Sequence, residues 1–201
     1  MPREPARSAR GEPQTSEGAS AGPPPLQPFG LVLHHDGGWT HQGQPIANRK
    51  IREKFDGSVR YLPEEGKYVV QVGRFRGEIE VEEAGFFVRD VDLERGEVAL
   101  SDRSRDAFDL ASLRISDLDG AYLCTVKREL VPGGLPARFT HAAQAELLDA
   151  VDETAEGPVI RLGGHLRPMP RLLRGTLDPW SSPGEGVSDG LPRGDREGVV
   201  R

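Results

Sequence analysis

The stretch Tyr68-Val69-Val70-Gln71-Val72-Gly73-Arg74-Phe75-Arg76-Gly77-Glu78-Ile79-Glu80-Val81-Glu82 decides the fold class. Tyr68, Val70 and Val72 fall on even positions. Phe75, Ile79 and Val81 fall on odd ones, opposite Arg74, Arg76, Glu78, Glu80 and Glu82. Successive side chains of a strand point to opposite faces, so both runs read as half-buried strands. A slip of one residue exchanges the two faces, and the change of parity at Gly73-Arg74 therefore marks a hairpin turn or a bulge between antiparallel strands.

The same pattern continues outward. Phe86-Phe87-Val88 and Val98-Ala99-Leu100 flank the polar break Glu94-Arg95-Gly96-Glu97, which predicts a second hairpin. Phe108 and Leu110, Leu113 and Ile115, then Tyr122, Cys124 and Val126 extend the β-rich region, with Asp119-Gly120 as a turn. Two helices are expected. The first opens at Pro45, whose fixed φ suits a first helical turn, carries Ala47, Ile51 and Phe55 along one stripe, and stops at Asp56-Gly57. The second follows Pro132-Gly133-Gly134, with Thr140 as N-cap, Ala143, Leu147, Leu148 and Val151 on one face, and Gly157 as its stop. A short strand over Pro158–Leu162 precedes Gly163-Gly164.

Residues 1–28 are rich in Pro, Gly, Ser and charge, with Leu26 as the one large aliphatic. Such a segment buries too little apolar surface to offset ordering entropy, so it is expected to be disordered. Residues 171–201 scatter Leu172, Leu173, Leu177 and Trp180 before becoming polar, and only their first third is expected to dock. The expected class is α+β. Two small antiparallel-sheet-plus-helix units stand in tandem, over 29–92 and 93–170, between disordered tails.

Composition excludes several functions. Both tails balance in charge, so the net −6 lies on the middle segment, and an acidic body repels the phosphates of duplex nucleic acid. The single Cys124 rules out an internal disulfide and any multi-cysteine zinc site, and fits a reducing, cytoplasmic compartment. No apolar run approaches the ~20 residues of a spanning helix, so no membrane partner is expected.

Catalytic patterns are missing as well. His34, His35 and His41 with Asp36 lack the spacing of a metal site, so no metal or cofactor is expected. Glu78, Glu80, Glu82 and Glu83 read as a solvated strand face rather than an acid/base pair. Cys124 lies inside an alternating strand and reads as a small core side chain. There is no Gly-x-Ser-x-Gly turn and no glycine-rich phosphate loop, so no enzyme activity is expected.

Three blocks carry a family resemblance: Asp36-Gly37-Gly38-Trp39-Thr40-His41-Gln42-Gly43-Gln44-Pro45-Ile46, then Tyr68-Val69-Val70 to Ile79-Glu80-Val81-Glu82, and Leu135-Pro136-Ala137-Arg138-Phe139 with the following Glu146-Leu147 helix and Gly163-Gly164. In order and spacing they resemble the bacterial domain-of-unknown-function family 1285. The resemblance implies a duplicated α+β architecture, a second unit similar to a pleckstrin-homology-like fold, and a ligand site between the units with a nucleotide-like ligand and a role in signalling. It departs from the family pattern at Gln71-Val72-Gly73-Arg74, and His141, Gln144 and Ala145 stand where an arginine and aromatics belong. The implied pocket is therefore smaller-walled and less basic.

The expected function is a non-enzymatic binding module for a small anionic ligand, with Trp39, His41, Arg49 and Arg138 as contacts. Arg49 enters as counter-charge at the helix start, and Arg138 as a guanidinium able to grip a phosphate or carboxylate. For Arg138 the competing reading is an internal salt bridge, and for Trp39 it is core packing. The alternative functions are a protein-interaction adaptor that uses strand edges or the Leu172–Trp180 segment and, last, a hydrolase with an unrecognised site.

Overall fold

The computed structural model describes residues 26–73, 75–171 and 173–174. The tail expectations for 1–25 and 175–201, including Leu177 and Trp180, lie outside the described residues. The chain folds mostly into sheet, with two helices. The first sheet comprises β1 (Gln27–Leu33), β2 (Trp39–His41), β3 (Gln44–Pro45), β4 (Val59–Leu62), β5 (Lys67–Val72) and β6 (Phe75–Val81), with α1 (Arg49–Asp56) between β3 and β4. The second comprises β7 (Phe86–Asp92), β8 (Glu97–Leu100), β9 (Arg105–Ala107), β10 (Arg114–Ile115), β11 (Tyr122–Val126) and β12 (Leu135–Phe139). A 3₁₀ turn at Leu110–Ser112 stands where α1 stands in the first. After β12 come α2 (His141–Asp149), a three-stranded sheet of β13 (Val151–Thr154), β14 (Gly157–Leu162) and β15 (His165–Pro168), and finally β16 (Leu173–Arg174).

The two large sheets share one topology. Their orders are β3-β2-β1-β6-β5-β4 and β9-β8-β7-β12-β11-β10, and β16 extends the second along β10. In each, three local antiparallel strands from either half meet in a central parallel pair, β1 with β6 and β7 with β12. The expected hairpins form: β5 pairs antiparallel with β6 across Gly73, and β7 with β8 across the turn that holds Gly96.

Several elements differ from expectation. The sheets are mixed rather than purely antiparallel. Gln27 and Pro28, read as tail, open β1, and Leu173-Arg174 pair with Arg114-Ile115. Pro45 closes the β2–β3 hairpin at a sheet edge, where a residue without an N–H is tolerated. The helix instead starts after Asn48, whose side chain accepts from Lys50 N and Ile51 N. Its stripe is not a core stripe, for Ile51 is exposed and no residue of α1 is buried. α2 stops at Ala150 rather than Gly157, because Val151 begins a hairpin that turns before Gly157. The change of sheet falls between Val81 and Phe86, so β7, read with the first unit, pairs within the second.

One core joins the sheets. Leu33, Val59 and Val70 of the first sheet pack in the same cluster as Phe86, Val88, Val98 and Leu135 of the second and Leu147 of α2. Tyr61, Tyr68 and Phe86 form an aromatic chain across the seam, with centroids 5.0 Å and 6.0 Å apart. Among the described residues no helix is long and apolar enough to cross a membrane.

Candidate functional site

Arg138 sits in β12, a strand whose five residues are all buried, opposite Leu123 on one side and Phe87 on the other. A guanidinium there must be matched by acceptors, since an unpaired buried charge is very costly. Two carboxylates supply them. Glu83, in the link between the sheets, takes Nη1, and Asp119, in the turn between β10 and β11, takes Nη2. Their surroundings differ sharply: the Glu83 side chain is 0% exposed and that of Asp119 is 36% exposed. The buried Ser116 hydroxyl also donates to Glu83, and Ala121 N donates to Asp119 Oδ1 at 3.1 Å.

Above Arg138 opens a cleft of about 380 Å³ at the seam. The first sheet contributes His35 and Asp36 from the β1–β2 turn. The second contributes Phe87 and Asp119, and the α2 region contributes His141, Gln144 and Leu148. The β1–β2 turn is tied to the end of β6, where Glu82 Oε2 accepts from His35 N and meets its Nδ1, both at 2.8 Å. α2 is docked by Gln144 Oε1, which accepts from Tyr122 N at 2.8 Å. These contacts set the charge states. The hydrogen bond from Arg138 holds the Asp119 carboxyl below its ordinary range despite some burial, and the His35 N–H does the same for Glu82.

Of the residues expected to meet the ligand, only Arg138 lines this cleft. Trp39 is 2% exposed, donates from Nε1 to Asp56 Oδ1 at 2.8 Å and packs on Phe55, so it is a core residue. His41 is exposed at the end of β2, paired in register with Gln44. Arg49 is exposed on α1 with Nε 2.6 Å from Glu53. The expected internal salt bridge of Arg138 is present, and it is double. His141, Gln144 and Ala145, the positions that depart from the family pattern, all line the cleft.

Sequence reading missed Glu83, Asp119 and His35. Expected with Glu78, Glu80 and Glu82 on a solvated strand face, Glu83 instead lies beyond β6, in the link, with its side chain out of water, so strand parity gives no signal for it. Asp119 and His35 carry no signal either, since only the tertiary fold brings their turns together. Two other features stay apart from this site. A hollow of about 490 Å³ between β15 and the 3₁₀ turn is walled by Phe108, Leu110 and Leu162 and contains no buried charge pair. Cys124 is fully buried, and burial pushes its thiol far above the ordinary range, which leaves it inert. Among the described residues no group of three or more His, Cys, Asp and Glu converges as a metal site would.

Fold and cleft define a class: two sheets of one strand order on a shared core, with a buried, doubly paired arginine at their seam. Two solved structures resemble the chain. One is a DUF1285 family protein from Silicibacter pomeroyi DSS-3, 19% identical, aligned over 75% of this chain and 89% of its own with a TM-score of 0.48. The other is a DUF1285 family protein from Shewanella baltica OS155, 18% identical, aligned over 61% and 91% with a TM-score of 0.40. Both bear the name of the family whose blocks the sequence resembles. No family model matches the sequence, and no curated protein matches it.

Proposed function

We propose that the chain is a non-enzymatic binding module that takes a small anionic, nucleotide-like ligand in the cleft between its sheets, the ligand's anionic group replacing Asp119 on Arg138. The observation that supports this reading is the asymmetry of the two carboxylates. Glu83 is a permanent buried partner, whereas Asp119 is a solvent-facing one whose exposed pairing is worth only about 0–1 kcal/mol. Arg138 Nη2, which donates to Asp119, can donate to a phosphate or carboxylate oxygen instead, so the exchange replaces one charge-assisted hydrogen bond with another. It is also electrostatically required. With Asp119 in place, Glu83, Asp119 and Asp36 outweigh Arg138, and an added anion meets net negative charge. Phe87 and Leu148 offer apolar wall for the rest of the ligand.

The test is thermal stability of wild type and Asp119→Asn against inorganic phosphate, nucleotides and cyclic dinucleotides. A ligand of the native state stabilises by about 2.7 kcal/mol at a hundredfold excess over Kd. The expected result is a saturable rise in Tm, larger in Asp119→Asn, where the competing charge is gone. The reading fails if neither protein responds to any anion. Exposed Leu118 and Leu148 beside the cleft would then favour a protein partner there instead.

A further inference from the structure

A separate cleft of about 180 Å³ lies between α1 and the loop after β8, lined by Glu53, Arg89, Leu100, Ser101 and Arg103, and it shares no residue with the Arg138 cleft. We propose that it is a binding site for a tetrahedral oxyanion, the phosphate group of inorganic phosphate or of a phosphomonoester, held by Arg103 and Arg89.

Three observations carry this assignment. The first is charge. The nearby acids are paired: Glu53, which also feels Arg89 and Arg103, has Arg49 at 2.6 Å, and Asp56 has Arg89 Nη2 at 2.7 Å and accepts from Trp39 Nε1 at 2.8 Å. Arg103 is exposed and has no carboxylate partner among the described residues, so one positive charge is left over in a chain whose sum is −6. Arg89 commits only one terminal nitrogen to Asp56, which leaves further donors for a second acceptor.

The second is backbone. Arg103 has a φ of 71°, the left-handed region that a residue with a Cβ avoids. Its loop is pinned in that shape on both sides. Ser101 Oγ accepts from Phe87 N at 3.0 Å, and Asp102 accepts from Ser104 N at 3.0 Å and from Lys127 Nζ at 3.2 Å. The arginine is thereby laid across Gly57, its Nε 3.3 Å from where a Cβ would stand, so the absence of a side chain at Gly57 makes room for it. The hairpin turn between β8 and β9 sets this conformation, Arg103 N donating to Leu100 O at 3.0 Å and Leu100 N to Ser104 O at 2.9 Å, so the side chain leaves the turn in a fixed direction. The third is size. At about 30 Å³ per water, the cleft has room for roughly six waters, the space of one oxyanion with part of its hydration shell.

Arg103 also faces the carbonyl end of α1, where a cation is stabilising in its own right, so the test must separate anchoring from binding. Amide spectra of the full chain are followed on addition of inorganic phosphate, of phosphoserine, and of sodium chloride at matched ionic strength. The expected result is a saturable displacement of the Gly57, Ser101 and Arg103 signals by both phosphates and not by chloride. Kd should weaken about tenfold in Arg103→Gln, the loss of one charge-assisted hydrogen bond, and stay unchanged in Arg161→Gln, an exposed arginine of β14 that lines neither cleft. A response to phosphoserine alone would assign the site to phosphomonoesters rather than free phosphate. The proposal is overturned if chloride reproduces the displacements, if neither phosphate saturates, or if Arg103→Gln lowers stability while leaving the phosphate response intact.

Discussion

Replacing Glu83 and replacing Asp119 remove the same charge from Arg138, but the free energies differ because only one of the carboxylates is out of water. Glu83→Gln takes from the buried guanidinium its one fully buried counter-ion, leaving only solvent-facing Asp119, and should destabilise by about 3 kcal/mol, whereas Asp119→Asn should cost at most about 1 kcal/mol. Urea midpoints of the two variants check this, and equal losses would mean that burial does not rank the pair. The same reasoning makes Arg138→Ala a poor probe of binding, since it strands Glu83. The asymmetry has a pH signature. Arg138 depresses the Asp119 carboxyl below its ordinary 3.8, so the contribution of the pair is whole above that value and is lost as pH falls through the lower folded value. The stability gap between wild type and Asp119→Asn should therefore be flat through neutral pH and close only in strong acid. A gap that closes already near neutral pH would mean that the Asp119 carboxyl does not control it. Cys124 offers an independent readout: its buried, proton-holding thiol should resist an alkylating reagent in the native chain and react only as the chain unfolds.

At the scale of elements, α1 and β12 are held by different means. α1 has no fully buried residue and docks only through half-buried Phe55 on Trp39, so it depends on its ends. Asn48 accepts two backbone N–H groups at its start, and Asp56 ties its last turn to Trp39 and Arg89. Asn48→Ala should cost about 1 kcal/mol and fray the helix, read by amide exchange over residues 49–52, whereas Pro45→Ala should leave that exchange unchanged. β12 is instead held by close approach of backbone. Gly134, just before it, has a φ of 71°, and a Cβ there would overlap Thr125 Cγ2 and lie 2.8 Å from Val126 O. Gly134→Ala should destabilise by several kcal/mol, because both the φ penalty and the clash must be relieved by moving β11.

These elements were unequally legible in the sequence, for a physical reason. The β5–β6 and β7–β8 hairpins advertise themselves because strand, turn and strand are contiguous. β1 does not, because Pro28 and Gly30 interrupt its pattern and its partner β6 lies most of a unit away in the chain. The central parallel pairs of both sheets are non-local in this way, so what local pattern reveals is their flanks. Pro45 misled because its fixed φ serves an edge strand as well as a helix start, and the true start was set by the side chain of Asn48. Within the site, Arg138 could be read from its block, but Glu83, in the link beyond β6, and the turn that brings in Asp119 could not.

Across the whole molecule, the repeated strand order suggests two modules, and the core argues that neither is sufficient alone. The first sheet, residues 27–81, is of a size at which a chain buries only about 60% of its unfolded surface. It would lose the cover that Phe86, Val88 and Leu135 give to Leu33, Val59 and Val70. The second would lose the buried carboxylate of Glu83 from Arg138, leaving the guanidinium only the solvent-facing Asp119. Cleaving the link between Val81 and Phe86 should therefore yield two fragments with no cooperative urea transition of their own. When mixed, they should regain strand content and a single transition, at a midpoint that depends on concentration. The intact chain should unfold in one step, with Cys124 reactivity and the far-ultraviolet signal changing together. A fragment that alone unfolded cooperatively near the midpoint of the intact chain would mean that the seam joins two finished domains. In that case the Arg138 cleft would be an interface able to open, and ligand affinity in it would be set by the closure of one domain on the other rather than by the exchange of one carboxylate.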